Sequence, residues 1–251
     1  HLSRVRSVCP HFGIMEQQSG ANGWNTRMEA PAPKPGQMSL WAMQSIAHGA
    51  DYVRFFRWRT CTIGTEIYWH GILDYDNRDN RKLREVAELS NQIQSIKDLA
   101  GAKYRASFGV LEDYDNLWDA DVDVWHRRLE KASKKEIFAA SQLSHTPMDY
   151  VLLSDSTEYE DLKEYPVLFY PHGIILTEKR AMLLRMYVEE GGCLIIGART
   201  GQKEEHGRCV MNPMPGMLAE LTGTTVEEFT FVGALDGTVC MEWNDLQLDT
   251  V

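Results

Sequence analysis

Residues 8–20 have the sequence VCPHFGIMEQQSG, in which a short apolar run is followed at once by a carboxylate and a polar loop. The apolar part extends from Val8 to Met15, the carboxylate is Glu16, and the loop contains Gly20. A buried strand that ends at the surface gives this pattern. The stretch therefore predicts a strand that ends at Met15, with Glu16 at its carboxyl end.

The next hundred residues predict two strand–helix units. Met38–His48 has one apolar stripe at helical spacing, and Gly49 is a suitable residue to end a helix. Residues 51–60 are rich in aromatic and β-branched side chains and predict a second strand, and Arg81–Lys97 predicts a second helix. A strand, a helix and a further strand form a parallel β/α unit. Two such units cannot close a sheet by themselves, so residues 1–100 are predicted to be the end of a larger unit.

The pattern restarts near residue 103 and predicts a separate domain over 103–251, truncated at its carboxyl end. Strands and helices alternate there, which is typical of a doubly wound, flavodoxin-like α/β fold. The predicted strands are 106–111, 148–154, 167–170 and 193–197. One or two helices are predicted over 125–144, and a further helix, capped by Thr177, over 178–190. The apolar run 193–197 predicts a strand that is buried on both faces, and the acidic stretch 112–116 predicts a loop.

Composition excludes several classes of protein. The 251 residues carry a formal net charge of −10, which argues against a protein that binds nucleic acid through its phosphates. No stretch of about 20 apolar residues is present that could span a membrane. The five cysteines are widely spaced and form no CxxC pair, so we expect free, buried thiols, no structural metal and a reducing, cytoplasmic location. No G-x-G-x-x-G follows a strand, so no nucleotide cofactor is expected.

Several side chains near Glu16 suggest a sugar site. Glycoside hydrolysis uses two carboxylates, and in retaining enzymes one of them attacks the anomeric carbon. Indole rings cover the apolar face of a sugar, and carboxylates and imidazoles bond to its hydroxyls. Such side chains lie in or beside the loops that follow the two predicted strands: Trp24, Trp58, Glu66, Tyr68, Trp69 and His70. Glu16 alone fits a solvated loop glutamate better than a catalytic one, whereas the set together predicts a sugar pocket.

Three segments in this order resemble the family 42 β-galactosidases: residues 14–20 followed by Trp24, then 56–59, then 66–73. The resemblance implies that residues 1–100 are the last units of a (β/α)8 barrel, that Glu16 is the nucleophile and that Trp24 and Glu66 contact the galactosyl unit. The family often has a histidine shortly after the second glutamate, a position for which Trp69 and His70 are both candidates. Ser19 stands where the family usually has proline.

The resemblance also implies what these residues lack. The family's general acid/base is a glutamate that follows an asparagine on an earlier barrel strand, and no Asn-Glu pair occurs here. The opening run HLSRVRS has no signal sequence and resembles the middle of a protein. We therefore expect a fragment of a longer retaining β-galactosidase. The whole enzyme is expected to act on galactosides, and the fragment by itself is expected to be inactive.

Residues 103–251 resemble the trimerisation domain of the same enzymes, which implies self-association as a homotrimer. An amidotransferase activity of this domain is not supported, because neither Cys193 nor Cys209 follows a strand on a sharp, glycine-flanked turn. The alternative function is a non-catalytic oligomerisation module, in which the segment 112–123 and exposed apolar residues mediate subunit contacts.

Overall fold

A computed structural model describes residues 1–229, 240–243 and 246–249, without the side chains of the last two segments and of residues 127, 128 and 130. The helices are α1 (Leu2–Val8), α2 (Gln37–Ala47), α3 (Arg81–Ser95), α4 (Tyr114–Val122), α5 (Val124–Leu143), α6 (Tyr159–Leu162), α7 (Glu178–Glu189) and α8 (Ala219–Thr222). The strands are β1 (Gly13–Gln18), β2 (Asn22–Trp24), β3 (Arg27–Ala30), β4 (Tyr52–Phe56), β5 (Phe108–Glu112), β6 (Met148–Leu152), β7 (Val167–Tyr170), β8 (Cys193–Ile196), β9 (Cys240–Trp243) and β10 (Leu246–Asp249).

The first part of the chain contains the predicted parallel β/α unit. Strands β1 and β4 pair in parallel, with Gly13 opposite Tyr52 and Gln18 opposite Phe56, and α2 packs against both strands. Helix α2 ends before Gly49, whose φ is 96°. This backbone conformation is strained for residues other than glycine. The carboxyl ends of β1 and β4 therefore lie side by side, and the loops that follow them meet at one edge.

Two details of this region differ from the predictions. The strand starts at Gly13 rather than at Val8, because α1 occupies the residues up to Val8 and ends where Cys9, in an extended conformation, precedes Pro10. Glu16 consequently lies inside β1, next to an irregularity in the pairing, rather than just beyond the strand. The segment after β1 was predicted to be a loop, but it contains the antiparallel hairpin β2–β3.

The second part of the chain is a doubly wound domain, as predicted. Its four strands are all parallel and have the spatial order β6-β5-β7-β8, which requires crossovers on both sides of the sheet. Leu111 and Leu168 pack with Leu184 of α7 on one face, whereas Val110 packs with Phe138 of α5 on the other. Helices thus cover both faces.

Two predictions about this domain were wrong. Strand β8 is not buried on both faces: it is the edge of the sheet, and Cys193 and Ile195 are exposed. The acidic stretch 112–116 is not a loop, because Asp113 caps α4 by accepting a hydrogen bond from the Asn116 amide at 2.7 Å.

The cysteines are free within the described part of the chain, but most of them are not buried as predicted. Cys9, Cys193 and Cys209 are exposed, and Cys61 is half-buried. Edge-strand and loop positions explain the exposure. Among the helices that the structure describes, none is both long and apolar enough to cross a membrane.

Arg6 of α1 joins the two parts of the chain. Its guanidinium donates to the Asp149 carboxylate at 2.8 and 2.5 Å, to the Met148 carbonyl at 3.0 Å and to the His48 carbonyl at 2.5 Å. The same group lies 3.5 Å from the centre of the Tyr104 ring. Because the Arg6 side chain is only 9% exposed, its charge depends on Asp149 for neutralisation.

Asp123, which caps α5, is expected to make stability depend on pH. Burial raises the pKa of this carboxyl, but hydrogen bonds from Lys203 Nζ and from the Trp125 and His126 amides outweigh that effect and lower the pKa from 3.8 to about 2. A pKa lowered by folding stabilises the fold above the unfolded value, and the contribution is lost as pH falls towards the folded value. We expect the free energy of unfolding to fall less steeply from about pH 4 to about pH 2 in Asp123→Asn than in the native chain. Equal slopes in urea titrations would contradict this.

Candidate functional site

The candidate site lies at the carboxyl ends of β1 and β4, where backbone and side-chain hydrogen bonds join the two loops. The His70 amide donates to the Ala21 carbonyl at 2.8 Å, and the Asn25 amide donates to the Thr65 carbonyl at 3.2 Å. Ser19, which is fully buried, donates from its hydroxyl to the Phe56 carbonyl at 2.8 Å. The structure therefore places the segments that contain Trp24, Glu66, Trp69 and His70 together, beyond the strand that holds Glu16.

Glu16 is an exposed carboxylate on β1. It makes no hydrogen bond or ion pair with the residues that the structure describes, so its oxygens are available to another group. A nucleophilic carboxylate needs donors that keep it ionised. Within the described ranges Glu16 has none.

The Glu66 carboxylate is paired with an arginine that was not among the predicted site residues. The Arg57 guanidinium, directly after β4, forms an ion pair with the Glu66 carboxylate, which remains 40% exposed. Arg57 also lies 4.4 Å from the centre of the Phe56 ring. The sequence shows several arginines near the end of this strand, but nothing in their spacing indicates that one of them pairs with Glu66.

The aromatic residues divide into a packed group and a group that lines a cavity. Trp69 contacts Trp24 and Phe56 edge to face, with ring centres 5.4 and 5.6 Å apart. Its indole Nε1 is buried and has no acceptor among the described residues. A cavity of about 750 Å³ beside the β2–β3 hairpin is lined by Trp24, Tyr68 and His70, with Trp69 outside its lining. Of the two candidates for the family's histidine, His70 thus faces open space.

His70 is fixed by a chain of charged groups. Its Nδ1 lies 3.1 Å from the Asp74 carboxylate, which also accepts a hydrogen bond of 2.9 Å from Lys82 of α3. Burial raises the pKa of Asp74, but the hydrogen bonds from Lys82 and His70 outweigh that effect and leave it below its ordinary value. Asp74 is therefore an ionised acceptor. No group of His, Cys, Asp and Glu within the described residues is arranged to hold a metal ion.

A parallel pair of strands packed by a helix, followed by a doubly wound sheet, is the arrangement expected for the last units of a (β/α)8 barrel with an appended α/β domain. Two family models match the chain: β-galactosidase over residues 3–96 and β-galactosidase trimerisation domain over residues 148–250. The chain belongs to the family 42 β-galactosidases. The predicted boundary at 100–103 lies between the two matches and stays a prediction, and the predicted end at 250–251 lies outside the described residues.

Individual relatives agree with this family. A β-galactosidase of Haloferax lucentense is 32% identical over 222 residues, which are 86% of this chain and 31% of that protein. A β-galactosidase of Clostridium cellulovorans is 30% identical over 260 residues, covering 98% of this chain and 38% of that protein. The solved structure of a family 42 β-galactosidase from G. stearothermophilus superposes with a TM-score of 0.80 over 99% of this chain and 36% of its own, at 23% identity. The chain thus spans about a third of the length of these relatives.

Proposed function

We propose that the chain is part of a retaining β-galactosidase that hydrolyses terminal β-galactosides, with Glu16 as the nucleophile. The observation that carries the proposal is the meeting of the loops after β1 and β4, which groups Trp24, Glu66 and His70 beyond the strand that bears Glu16. Carboxylates at the ends of parallel barrel strands face the substrate. The relatives named above, which are β-galactosidases, support the substrate class.

Each residue has a role that its chemistry permits. Glu16 attacks the anomeric carbon and forms a glycosyl ester while the glycosidic bond breaks and the acid/base group protonates the leaving alcohol. The same group then takes a proton from the water that hydrolyses the ester and releases Glu16. Trp24 covers the apolar face of the galactosyl ring, and Glu66, oriented by Arg57, accepts hydrogen bonds from its hydroxyls. His70 contacts a further hydroxyl, and Trp69 supports Trp24 from behind.

We propose that the acid/base group lies outside residues 1–251, since no Asn-Glu pair occurs among them. A polypeptide of these residues alone is then inactive, because departure of the leaving group is not assisted by a proton. A cytoplasmic location and the lack of a cofactor stay predictions.

Trapping of the glycosyl-enzyme tests the nucleophile directly. Fluorine at C2 slows both steps, and a good leaving group restores the first, so the complete enzyme treated with 2-deoxy-2-fluoro-β-galactosyl fluoride should accumulate the ester. Peptide mass mapping should find the label on Glu16. A label on Glu66 or on any other carboxylate would refute the assignment.

We further propose that the doubly wound domain mediates self-association, in line with the trimerisation model that matches it. A specific observation favours this role, because α4 and the start of α5 carry a group of exposed apolar residues. We call this group the α4–α5 patch; it consists of Tyr114, Trp118, Val122, Val124 and Trp125. Large exposed patches rich in Trp and Tyr are typical of subunit interfaces. The patch overlaps the segment 112–123, for which the sequence suggested a role in assembly.

A charge in the α4–α5 patch should weaken the assembly. Trp118 is 64% exposed, so Trp118→Glu leaves the fold intact but buries a carboxylate wherever another subunit covers the patch. Light scattering at micromolar concentration should give the mass of a trimer for the native enzyme and a lower mass for the variant. Leu143→Glu, at an 83% exposed position at the far end of α5, is the control and should keep the native mass. A trimeric Trp118→Glu enzyme would exclude the patch.

If the fluorosugar leaves no label and the protein is nevertheless a trimer, the chain acts as an oligomerisation module without catalysis.

A further inference from the structure

We propose that Asp74 is a positioning residue, which, together with Lys82, sets the tautomer and the orientation of His70 for a hydrogen bond with the galactosyl unit. The inference rests on the proposed function, because it assigns a task to His70 in the sugar site. It concerns two residues that do not themselves line the cavity and that lie outside the segments on which the family resemblance rests.

The protonation of the His70 ring follows from its partner. An ionised carboxylate has no hydrogen to donate, so the 3.1 Å contact between Nδ1 and Asp74 requires the proton to lie on Nδ1. In the neutral ring Nε2 then carries a lone pair. Because His70 lines the cavity beside Trp24, this lone pair is available to accept a hydrogen bond from a sugar hydroxyl.

The ring is also held in place by its neighbours. The His70 amide is bonded to Ala21, and the ring lies edge to face against Tyr75, with centres 5.4 Å apart. These contacts allow little displacement, but they do not select one nitrogen over the other. That selection comes from Asp74 alone among the described residues.

Lys82 fixes Asp74 in turn. The Lys82 side chain is 11% exposed, and its Nζ lies 2.9 Å from Asp74 Oδ1, its single ion-pair partner within the described ranges. The Thr60 hydroxyl adds a weaker contact of 3.4 Å to the same oxygen. Because the buried Lys82 ammonium depends on the Asp74 carboxylate, it holds that carboxylate in place. The two charges cancel, so the His70 imidazole lies beside an ion pair of zero net charge.

The complete enzyme with a nitrophenyl β-galactoside provides the test, through a double-mutant cycle of His70→Ala and Asp74→Ala. Each single change should raise KM and the inhibition constant of galactose on the order of tenfold, with a smaller change in kcat. In the His70→Ala background, Asp74→Ala should add less than about twofold, because the two residues act as one unit. Asp74→Asn keeps an oxygen that can accept from Nδ1 and should lose less than Asp74→Ala.

Asp76→Ala is the matched control. Asp76 lies two residues further along and pairs with Arg78 on the surface, so its removal should leave both constants unchanged. If Asp74→Ala weakens galactose binding as strongly without His70 as with it, Asp74 acts on the structure in general and the inference is overturned. An unaffected Asp74→Ala enzyme beside an impaired His70→Ala enzyme overturns it as well. Unchanged constants in His70→Ala would instead remove His70 from the proposed sugar site itself.

Discussion

Replacement of Glu16 by glutamine in the complete enzyme is expected to lower kcat for a nitrophenyl β-galactoside by on the order of 10⁴-fold or more. Glutamine has nearly the size of glutamate but carries no negative charge, so it cannot form the glycosyl ester at a useful rate. Glu16 is exposed and its carboxylate makes no hydrogen bond or ion pair with the described residues, so its replacement should leave the stability of the fold unchanged. Steady-state kinetics together with thermal unfolding of the same samples measure both effects.

Two further variants make this test specific. Glu88→Gln, an exposed position on α3, carries the same chemical change away from the site and should retain native kcat. Glu16→Gly leaves room for a small anion, and azide should restore turnover with an α-galactosyl azide as product. A loss below about tenfold in Glu16→Gln, or a β-configured azide product, would rule out Glu16 as the nucleophile of a retaining enzyme.

The largest effect on stability is expected at Asp113, in the buried polar cluster of the doubly wound domain. Its side chain is 0% exposed and accepts hydrogen bonds from Tyr170 Oη at 2.6 Å and from Asn116 Nδ2 at 2.8 and 2.9 Å. Asn116 continues the cluster to the Ile175 backbone, with both hydrogen bonds 2.9 Å long. Asp113→Ala leaves buried donors without an acceptor and removes the cap of α4, and it should lower the free energy of unfolding by about 3–5 kcal/mol.

Urea denaturation followed by tryptophan fluorescence measures this loss. Asp115→Ala is the control. The Arg180 guanidinium lies 3.6 Å from the Asp113 carboxylate and 2.5 Å from that of Asp115, but the Asp115 side chain is 41% exposed, so its loss should cost less than about 1 kcal/mol. Tyr170→Phe removes one hydrogen bond of the cluster and should cost about 1–2 kcal/mol. Burial, followed by the adjacent Asp113 charge, raises the pKa of Tyr170 well above its ordinary value, so this hydroxyl donates throughout the neutral range. An Asp113→Ala chain as stable as Asp115→Ala would contradict the assigned role.

The elements that were predicted correctly are those whose sequence pattern is local. Helices α2, α3, α5 and α7 were found from their apolar spacing, and Thr177 caps α7 through a hydrogen bond to the Arg180 amide, as predicted. Helix α4 was missed because its first turn is acidic and resembles a loop, although Asp113 in front of it was a readable capping signal. The exposure of β8 could not be predicted, because its apolar run does not say which strand lies at the edge.

The candidate site could be predicted as a set of residues but not as a set of contacts. Aromatic and acidic side chains after two parallel strands sufficed to place Trp24, Glu66 and His70 at one edge. The partners that orient them, Arg57 for Glu66 and Asp74 for His70, depend on how the loops cross, which no periodic pattern encodes. Whether Glu16, Trp24, Glu66, Trp69 and His70 bind galactosides is decided by the experiments proposed above.

The contact between Arg6 and Asp149 has a consequence for protein engineering. The barrel segment and the doubly wound domain are not interchangeable modules, because a guanidinium from one is embedded in the other and touches both Asp149 and Tyr104. In a chimera that joins a foreign α/β domain to this barrel segment, the Arg6 guanidinium would be buried without a counter-ion, unless the foreign domain also has a carboxylate at the start of its second strand. Recombination of such enzymes is therefore best planned with crossover points that keep α1 and β6 from the same parent.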